Sequence, residues 1–417
     1  MPPEAFPERS PGPSRATRPT PSSRAAALRA DWLRLALVDG LGPARMQRLL
    51  RAFGAPADIL ATPARRLAQV VETDIAIRLA TADPAREVRV AASLEWLEAA
   101  PERHLLTLDD DAYPPAWLNL ADPPPCVMVQ GRLEALAMPA VAIVGSRHAS
   151  AGGARSARDF AAGLADEGWA VASGLALGID AAAHAGALDA GGVTVAFVGT
   201  GLDRVYPARN RALAARIAAA GAIVSEFALG TEALRSNFPR RNRLIAAHSR
   251  GVLVVEAARR SGSLITALAA ADLGREVFAV PGSIHSPQAR GCHWLIRQGA
   301  ALVEELADIR EGFPSALRPA PPSGIGATAM PARAVATAPG PAAAATLAGL
   351  DWHPASVDAL AQRLPFDVPA LLAALLELEL AGQVERLADG RYQRTRPDEG
   401  PVGSRPARVA RPVGRPV

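Results

Sequence analysis

From residue 139 to residue 307, short apolar runs alternate with alanine-rich stretches, and this alternation restricts the fold more than any other feature. The first run, Val141–Val144, passes directly into Gly145-Ser-Arg147. A short, continuously apolar run bounded by turn residues is typical of a strand buried on both faces. Alternation of such strands with helices predicts an α/β domain, in which a parallel sheet is covered by helices on both faces.

The predicted elements follow one another without long gaps. Strands are predicted at 141–144, 169–172, 193–198, 222–225, 251–255, 276–280 and 301–303. Helices are predicted near 153–166, 179–190, 208–220, 240–248, 263–273 and 291–298. In such sheets ligands bind at the carboxyl ends of the strands, near the point where the strand order reverses. We therefore expect the functional residues at that edge.

Small and polar residues follow five of the predicted strands. They are Gly145-Ser146-Arg147, Ser173-Gly174, Gly199-Thr200-Gly201, Ser261-Gly262-Ser263 with Thr266, and Pro281-Gly282-Ser283. One such segment is ordinary turn chemistry, but five at one edge predict a rim of N–H and O–H donors that suits phosphate. The fingerprint G-x-G-x-x-G is absent after the first strand, and no acidic residue ends the second. Dinucleotide binding is therefore disfavoured.

The chain contains no lysine, so all 45 of its basic residues are arginines. This excludes phosphate-binding loops and Schiff bases that depend on lysine. Any phosphate must be bound by arginine, backbone N–H groups and hydroxyls. The formal net charge is only +4, but residues 235–260 contain a single acid, Glu256. The arginines of that segment are Arg235, Arg240, Arg241, Arg243, Arg250, Arg259 and Arg260. Such a cluster indicates a polyanionic partner.

The segment Asn237-Phe-Pro-Arg-Arg-Asn-Arg243 is predicted to lead into a helix at about Arg241. Arginines at a helix N-terminus are repelled by the positive end of the helix dipole. Residues placed against such a local preference usually mark a functional site. Phe238 could stack on a base, as in proteins that bind single-stranded nucleic acid. The alternative is that Phe238 is a core residue and the arginines pair with Glu226 and Glu232. We favour nucleic acid, because the acids are too few to neutralise the cluster.

Other polar residues favour a structural interpretation. Asp180 and His184 lie four apart on one helical face and could form a catalytic or metal-binding pair, but a pair that stabilises the helix or its packing fits better. Glu256 could be a catalytic acid or could anchor a nearby arginine. His285, Cys292 and His293 lack zinc spacing, so we predict neither a metal nor a cofactor. Two distant cysteines, no long apolar stretch and no signal-peptide pattern favour a cytoplasmic protein.

The flanks of the α/β region have their own patterns. Residues 27–100 are helical, and Gly40-Leu-Gly-Pro-Ala44 resembles a helix-hairpin-helix turn that could meet a DNA phosphate, although a plain packing corner is an equal alternative. Two helices and a hairpin at 346–395 suggest a winged helix. The predicted organisation is 1–26 disordered, 27–100 helical (SAM-like or helix-hairpin-helix), 101–139 connector, 140–312 α/β domain, 313–345 linker, 346–395 winged helix and 396–417 basic disordered tail.

Taken in order, several motifs resemble the DNA-processing protein A family (DprA, also called Smf). They are Ile143-Val-Gly-Ser-Arg147, Ser173-Gly-Leu-Ala-Leu-Gly-Ile-Asp180 with His184, Gly201-Leu-Asp203 with Tyr206-Pro207, Ser225-Glu226, Phe238-Pro-Arg-Arg-Asn-Arg243, Val255-Glu256, Ser261-Gly-Ser263 with Thr266, Val280-Pro-Gly282, Gly291, Leu295-Ile296 and Gly299-Ala300. The resemblance covers about half of the chain. Arginine stands where members often have lysine, and Ala246-Ala-His248 replaces a segment that usually contains glycine and leucine.

The resemblance implies an extended Rossmann-like domain between a helical N-terminal domain and a C-terminal winged helix. It further implies a non-enzymatic homodimer that binds single-stranded DNA, protects incoming DNA and hands it to the recombinase RecA in natural transformation. Binding of double-stranded DNA would be weaker, and no membrane association is implied. With the motifs above, the predicted DNA-binding residues are Ser146, Arg147, Gly174, Phe238, Arg240, Arg241, Asn242, Arg243, Ser261, Gly262, Ser263 and Thr266.

Two other functions compete with this one. Rossmann-like phosphoribohydrolases share the architecture and a phosphate-binding rim, but they typically carry a Pro-Gly-Gly-x-Gly-Thr loop near a catalytic glutamate. Here Pro281-Gly282 is followed by Ser283, so that loop is missing. The third alternative is a regulator that binds DNA through the winged helix at 346–395.

Overall fold

The computed structural model describes residues 21–313 and 340–394, apart from residues 351–353, 382, 388 and 389. The chain divides into two compact units, one up to Ser323 and the other from Gly324. Most of the predicted disordered segment 1–26, most of the predicted linker 313–345 and all of the predicted basic tail 396–417 lie outside the described residues. The predicted linker is too long at its end, because a helix begins at Pro341.

The first unit begins with six helices that pack around one apolar cluster. They are α1 (Pro21–Ala36), α2 (Pro43–Phe53), α3 (Pro56–Leu60), α4 (Ala64–Leu67), α5 (Thr73–Ala80) and α6 (Pro84–Glu98). The helical spacing of Leu33, Leu37, Met46 and Leu49 places all four in this cluster. Helix α1 starts at Pro21, earlier than the sequence predicts. The turn after it needs Gly40, whose φ of 85° lies in the left-handed region.

Within residues 21–313, nine strands form one twisted sheet. They are β1 (Arg103–Thr107), β2 (Cys126–Gly131), β3 (Ala140–Val144), β4 (Ala170–Ser173), β5 (Thr194–Phe197), β6 (Ala222–Ser225), β7 (Gly251–Val254), β8 (Glu276–Ala279) and β9 (Ala301–Leu302). Their spatial order is β1-β2-β6-β5-β4-β3-β7-β8-β9. The chain proceeds from β3 through β4 and β5 to β6 and then returns to β7 on the other side of β3. This reversal at β3 is a topological switch point.

The sheet is mixed rather than wholly parallel, because β2 pairs antiparallel with both β1 and β6. The predicted connector at 101–139 thus contributes two strands. Alternate residues of these strands face different clusters: Leu105 and Met128 pack on the N-terminal helices, whereas Leu106 and Val127 join the core of the sheet. The prolines between the two strands prevent a helix, but they leave the flanking apolar runs free to pair.

Helices cover both faces of the parallel strands, as predicted. They are α7 (Ala151–Asp166), α8 (Ile179–Asp189), α9 (Arg211–Ala220), α10 (Asn237–His248), α11 (Gly262–Asp272), α12 (Arg290–Arg297) and α13 (Leu306–Glu311). Successive residues of β3 show the two layers. Val141 and Ile143 pack with residues of α7, α8 and α13, whereas Ala142 and Val144 pack with residues of α10, α11 and α12. The continuous apolar composition of the strand follows from this double burial.

The second unit is a small winged helix. It consists of α14 (Pro341–Gly349), α15 (Val357–Ala361), α16 (Val368–Leu380), β10 (Val384–Arg386) and β11 (Tyr392–Arg394). The strands β10 and β11 pair antiparallel, and Ala355 forms a further bridge to Tyr392. Leu360, Leu371, Leu375 and Leu378 form its core. In the described parts of both units, no helix combines the length and the apolar character that crossing a lipid bilayer requires.

The turn after β3 has no room for a side chain at Gly145. A Cβ atom there would lie 2.6 Å from Cγ1 of Ile179 and 2.8 Å from the carbonyl oxygen of Glu256. We expect Gly145→Ala to lower the free energy of unfolding by about 1–3 kcal/mol, as overpacking does. Urea titration provides the measurement. Gly262→Ala is the matched control, because nothing lies within 4 Å of its added Cβ, and equal losses in the two variants would contradict this account.

Candidate nucleic-acid interface

A pocket opens at the carboxyl ends of the strands near the switch point. It is lined by Arg147, Gly174, Ala176, Leu177, Tyr206, Pro207, Phe238 and Arg241. Arg147 follows β3, Gly174 follows β4, and the other two predicted site residues, Phe238 and Arg241, come from the first turns of α10. Chain reversal at β3 therefore brings together side chains that are up to 94 positions apart, between Arg147 and Arg241.

Arg241 is the most unusual residue of the pocket, because its guanidinium is buried with an exposed fraction of only 5%. Its Nη1 donates a hydrogen bond of 2.7 Å to the carbonyl oxygen of Phe197, at the end of β5. Its Nε has no partner among the described residues. A methyl group on Gly174 would overlap the guanidinium, so the glycine leaves the space that the arginine fills.

The charge of Arg241 is only partly compensated inside the protein. Burial lowers its pKa to about 10, the carboxylate of Asp180 opposes that shift, and the charge of Arg147 adds to it. At neutral pH the guanidinium therefore remains positive. A buried charge is costly unless it is paired and hydrogen-bonded, so an anion that reached the pocket would relieve a penalty already present in the fold.

Phe238 lies half-buried among cations and a second aromatic ring. The Cζ of Arg147 is 5.0 Å from its ring centre, and the Cζ of Arg241 is 5.9 Å away. The ring of Tyr206, which is 49% exposed, is 6.1 Å from the same ring. In the described part of the chain Arg147 makes no ion pair. Cation–π contacts keep the two arginines near the ring without neutralising them.

The helix α10 starts at Asn237, before the predicted position, and this register explains how its arginines separate. Phe238 and Arg241 are three residues apart and share one face, which is turned to the strand ends. Arg240 and Arg243 share another face, turned to the segment after β6. The Cζ of Arg240, an exposed residue, is 5.1 Å from the ring centre of Phe227.

Arg243 is committed to an internal ion pair. It bonds Glu226 through Nη2, and its Nη1 lies 3.3 Å from Oδ1 and 2.9 Å from the carbonyl oxygen of Asp122. Its side chain is 14% exposed, and that of Glu226 is 2% exposed. Burial raises the pKa of Glu226, and the nearby charge of Arg243 counteracts that shift. The alternative pairing considered from the sequence thus holds for Arg243 and Glu226.

The loop after β4 is held by side chains that the sequence left unassigned. Asp180 accepts hydrogen bonds from the backbone N–H groups of Gly174 at 3.1 Å and of Ala176 at 3.4 Å. Asn210 donates to the carbonyl oxygen of Leu175 at 2.9 Å. Leu175 has a φ of 55°, a conformation that is rare for a residue with a side chain. These bonds fix the loop in the shape that the pocket requires.

His184 completes this support. Thr194 donates its hydroxyl proton to the carbonyl oxygen of Val171, so Nδ1 of His184 must donate to the hydroxyl oxygen, at 2.7 Å. Its Nε2 then accepts from the N–H of Leu175 at 3.3 Å. Burial, followed by the charge of Arg241, lowers the pKa of His184 to about 3. Asp180 and His184 are therefore supporting residues of the loop, in line with the structural interpretation of the pair.

The other predicted residues stabilise the surroundings of the pocket. The Oγ of Ser146 accepts from the N–H of His148 at 3.1 Å. Ser261 caps α11 by accepting from the N–H of Ser263, and Asn242 donates to the carbonyl oxygen of Gly262 at 3.2 Å. Thr266 is buried with 1% exposure. Beside this turn, Arg259 and Arg260 are exposed and add positive charge to the same edge of the sheet.

Glu256 has a structural position. Its carboxylate accepts from the N–H of Ser150 at 2.9 Å and from the hydroxyl of Ser150 at 2.5 Å. It is therefore neither free to act as an acid nor paired with an arginine. In the described ranges, no three His, Cys, Asp or Glu residues come together in a way that could hold a metal ion. Four lining residues were not among the predicted site residues, namely Ala176, Leu177, Tyr206 and Pro207, although all four belong to the motifs that carry the family resemblance.

The fold and this site define an α/β protein with a buried cationic and aromatic pocket at the switch point, joined in sequence to a winged helix. A family model for DNA recombination-mediator protein A matches residues 104–314, and one for the DprA winged helix domain matches residues 330–390. The chain belongs to the DNA recombination-mediator protein A family.

Individual relatives agree with this assignment. The chain is 44% identical over 308 residues to Protein Smf of Escherichia coli strain K12. The aligned residues cover 74% of this chain and 81% of that protein. It is 46% identical over 204 residues to DNA processing protein DprA of Streptococcus pneumoniae, covering 49% of this chain and 72% of the relative. The X-ray structure of DprA from S. pneumoniae is similar, with a TM-score of 0.55 and 36% identity over 68% of this chain and 96% of that chain.

The hydrogen bonds of His184 predict acid sensitivity. The unfolded histidine titrates near pH 6.5 and the folded one at about 3, so between these values the unfolded state binds more protons and stability falls as the pH falls. This histidine contributes up to about 1.4 kcal/mol per pH unit in that window. We expect His184→Gln to be less stable at pH 7 but to show a shallower pH dependence in urea unfolding between pH 7 and 5.

The exposed His285 provides the matched control. The variant His285→Gln is expected to keep the slope of the parent protein. A parent slope that survives in His184→Gln would show that another group carries the acid sensitivity.

Proposed function

We propose that this protein binds single-stranded DNA at the pocket of Arg147, Phe238 and Arg241 and acts as a recombination mediator. The observation that carries the proposal is the incompletely compensated guanidinium of Arg241 beside an aromatic ring. A DNA phosphate supplies the missing anion, and a base supplies a stacking partner for Phe238. The family assignment supports a role in DNA recombination.

A single strand fits the pocket better than a duplex. The guanidinium of Arg241 is buried, so a phosphate must enter the pocket rather than pass over a flat surface. A base can stack on Phe238 only if it is unpaired and turned away from its neighbours, which a single strand permits at low cost. Arg240, Arg259 and Arg260 are exposed near this edge and would follow the backbone of the strand beyond the pocket. Double-stranded DNA would bind more weakly.

A non-enzymatic role is part of the proposal. A phosphoribohydrolase needs a carboxylate that is free to act on a nucleotide, whereas Glu256 bonds Ser150 and Asp180 bonds the loop after β4. Ser146, Gly174, Ser263 and Thr266 shape the pocket and its rim in this proposal, together with Asn242, Ser261 and Gly262. We assign Arg243 to the ion pair with Glu226 rather than to DNA contact.

In the cell, the proposed role is to protect incoming DNA and to load RecA on it during natural transformation. The protein would do this as a cytoplasmic homodimer, without a cofactor. RecA filament growth on a strand precoated with this protein tests the handover. We expect faster assembly with the parent protein than with Phe238→Ala. Assembly that is equally fast without the protein would contradict the loading role while leaving DNA binding intact.

The DNA site is tested by single substitutions in fluorescence-anisotropy titrations with oligo-dT at two salt concentrations. We expect Phe238→Ala to cost about 1–3 kcal/mol through loss of stacking. Arg147→Ala should reduce the salt slope of the logarithm of affinity by about 0.7, which corresponds to one lost phosphate contact. Arg216, which pairs with Asp189 at 2.6 Å on the outside of α9, is the matched control, and Arg216→Ala should change neither quantity.

Arg243→Ala separates the two roles of the arginine run. It leaves a buried carboxylate unpaired, so we expect a stability loss of about 3–5 kcal/mol with an unchanged salt slope. Unchanged affinity in both Arg147→Ala and Phe238→Ala would contradict the proposed site.

A further inference from the structure

The domain formed by α1–α6, here called the helical domain, packs on the same edge of the sheet as the pocket. Leu202, which follows β5, and Ala228 and Leu229, which follow β6, pack on its apolar cluster. In the sheet, β5 lies next to β4, and β6 lies next to β5. Neighbouring strands are about 4.8 Å apart, so β5 and β6 are about 5–15 Å from the strands that lead to Arg147 and Gly174. A DNA strand that leaves the pocket in this direction meets the helical domain.

Two hydrogen bonds connect α2 to α10 through one short segment of the chain. Gln47 of α2 donates to the carbonyl oxygen of Pro123 at 2.9 Å. The preceding residue, Asp122, accepts through its own carbonyl oxygen from Arg243 of α10, also at 2.9 Å. Arg240 lies one turn before Arg243 on α10 and is exposed. The side of α2 that carries Gln47 is therefore one chain segment away from the arginines of α10.

The side of α2 that carries Gln47 is basic. Arg51 lies four residues after Gln47, about 6 Å along the helix, and Arg48 lies one turn before Arg51. Arg51 is exposed, and in the described part of the chain it makes no ion pair. We call Arg48 and Arg51 the α2 pair. The segment 40–71 around them contains five arginines and one acid.

Arg48 is only weakly occupied by its acidic neighbour. Its Nη2 is 4.0 Å from Oε2 of Glu72, and both side chains are exposed. The same carboxylate accepts hydrogen bonds of 2.8 Å and 3.0 Å from Arg45. These bonds to Arg45 lower the pKa of Glu72 to about 2. A long ion pair at the surface contributes little, so both arginines of the α2 pair can serve an external anion.

We infer that the α2 pair is a second subsite for the backbone phosphates of a single strand that has another phosphate in the pocket of Arg147 and Arg241. The inference rests on the proposed DNA binding and extends it to the helical domain. Exposed arginines of this kind neutralise phosphates and fix the course of the strand without reading its sequence. The strand passes from the pocket over Arg240 to α2.

The subsite lies on the helix and not in the turn before it. In Gly40-Leu-Gly-Pro-Ala44 the N–H of Gly42 donates to the carbonyl oxygen of Gly40 at 3.0 Å. Arg78 donates to the carbonyl oxygen of Asp39 at 2.7 Å and holds the turn from the side of α5. The N–H group that a phosphate would need at Gly42 is thus already used. The turn has the bonds of a packing corner, which is one of the two alternatives that the sequence leaves open.

Exposed acids limit how far a strand follows the edge of the sheet. Asp109 and Asp111 come shortly after β1, which is the last strand on this side of the sheet. Their carboxylates repel phosphates. A strand that has passed the ends of β5 and β6 is therefore directed onto α2 and not past β1.

The subsite is tested in the full chain by fluorescence-anisotropy titrations with oligo-dT of about 5 and about 20 nucleotides, one that spans the pocket and one that reaches beyond it. For the variant with both Arg48→Ala and Arg51→Ala, we expect about tenfold weaker binding of the long strand at low salt. The salt slope of the logarithm of its affinity should fall by about 1.4, which corresponds to two lost phosphate contacts. Affinity for the short strand should equal that of the parent.

The matched control removes two arginines elsewhere. Arg158 of α7 and Arg216 of α9 share Asp189, at 2.5 Å and 2.6 Å. The variant with both Arg158→Ala and Arg216→Ala loses the same charge and should bind both strands as the parent does. Arg51→Gln is a second variant that keeps a polar side chain at an exposed position, and we expect about half of the change in salt slope.

The two strand lengths distinguish the possible failures. An unchanged salt slope on the long strand in both variants of the α2 pair would overturn the subsite. A variant that loses affinity for a duplex but not for the long single strand would assign the pair to double-stranded DNA and would overturn the inference as well. Failure of the parent to bind the short strand, with a long strand that still depends on the α2 pair, would overturn the proposed pocket and not the pair. Binding of neither length would overturn the proposed function itself.

Discussion

The site depends on the burial of one positive charge. Arg241 reaches from α10 to the end of β5 and hydrogen-bonds the carbonyl oxygen of Phe197. Gly174 provides the space for it, and Asp180 supplies part of the opposing charge while holding the loop after β4. The packing of three strand ends is therefore organised around a group that the protein neutralises only in part. Its remaining charge is what makes the pocket attractive to a phosphate.

Arginine suits this position better than lysine would. The guanidinium holds the carbonyl of Phe197 with one nitrogen and presents further N–H donors in the same plane. Burial lowers its pKa to about 10, which leaves it charged at neutral pH. A lysine starts from a lower pKa, about 10.4, so burial would bring it closer to the neutral form than it brings an arginine. The absence of lysine from the chain is thus compatible with a buried phosphate site.

The sequence predicted the elements whose signal is local. Short apolar runs such as Val141–Val144 and the run at 222–225 were predicted to be buried strands, and they are strands of the sheet. Strand β1 was missed, because Arg103-His-Leu-Leu-Thr107 is short and mixed, and its pairing with β2 is a tertiary effect. The contacts of the arginines were equally hard to predict from the sequence, because they depend on tertiary structure. Arg241 and Arg243 look alike in sequence, but two residues in a helix are separated by about 200° around its axis. Arg241 therefore faces the strand ends and Arg243 faces Glu226.

The same comparison explains why the two units differ in what their surfaces can do. In α10, arginines near a helix N-terminus oppose the dipole. The fold holds them there by cation–π contacts of Arg240 and Arg241, a hydrogen bond from Arg241 to a carbonyl oxygen, and the ion pair of Arg243. In α16, the exposed face has no positive charge to offer and keeps four apolar side chains in water. Both arrangements have a free-energy cost in the isolated chain. For the arginines of α10 the cost is electrostatic, and for the exposed apolar residues of α16 it is hydrophobic.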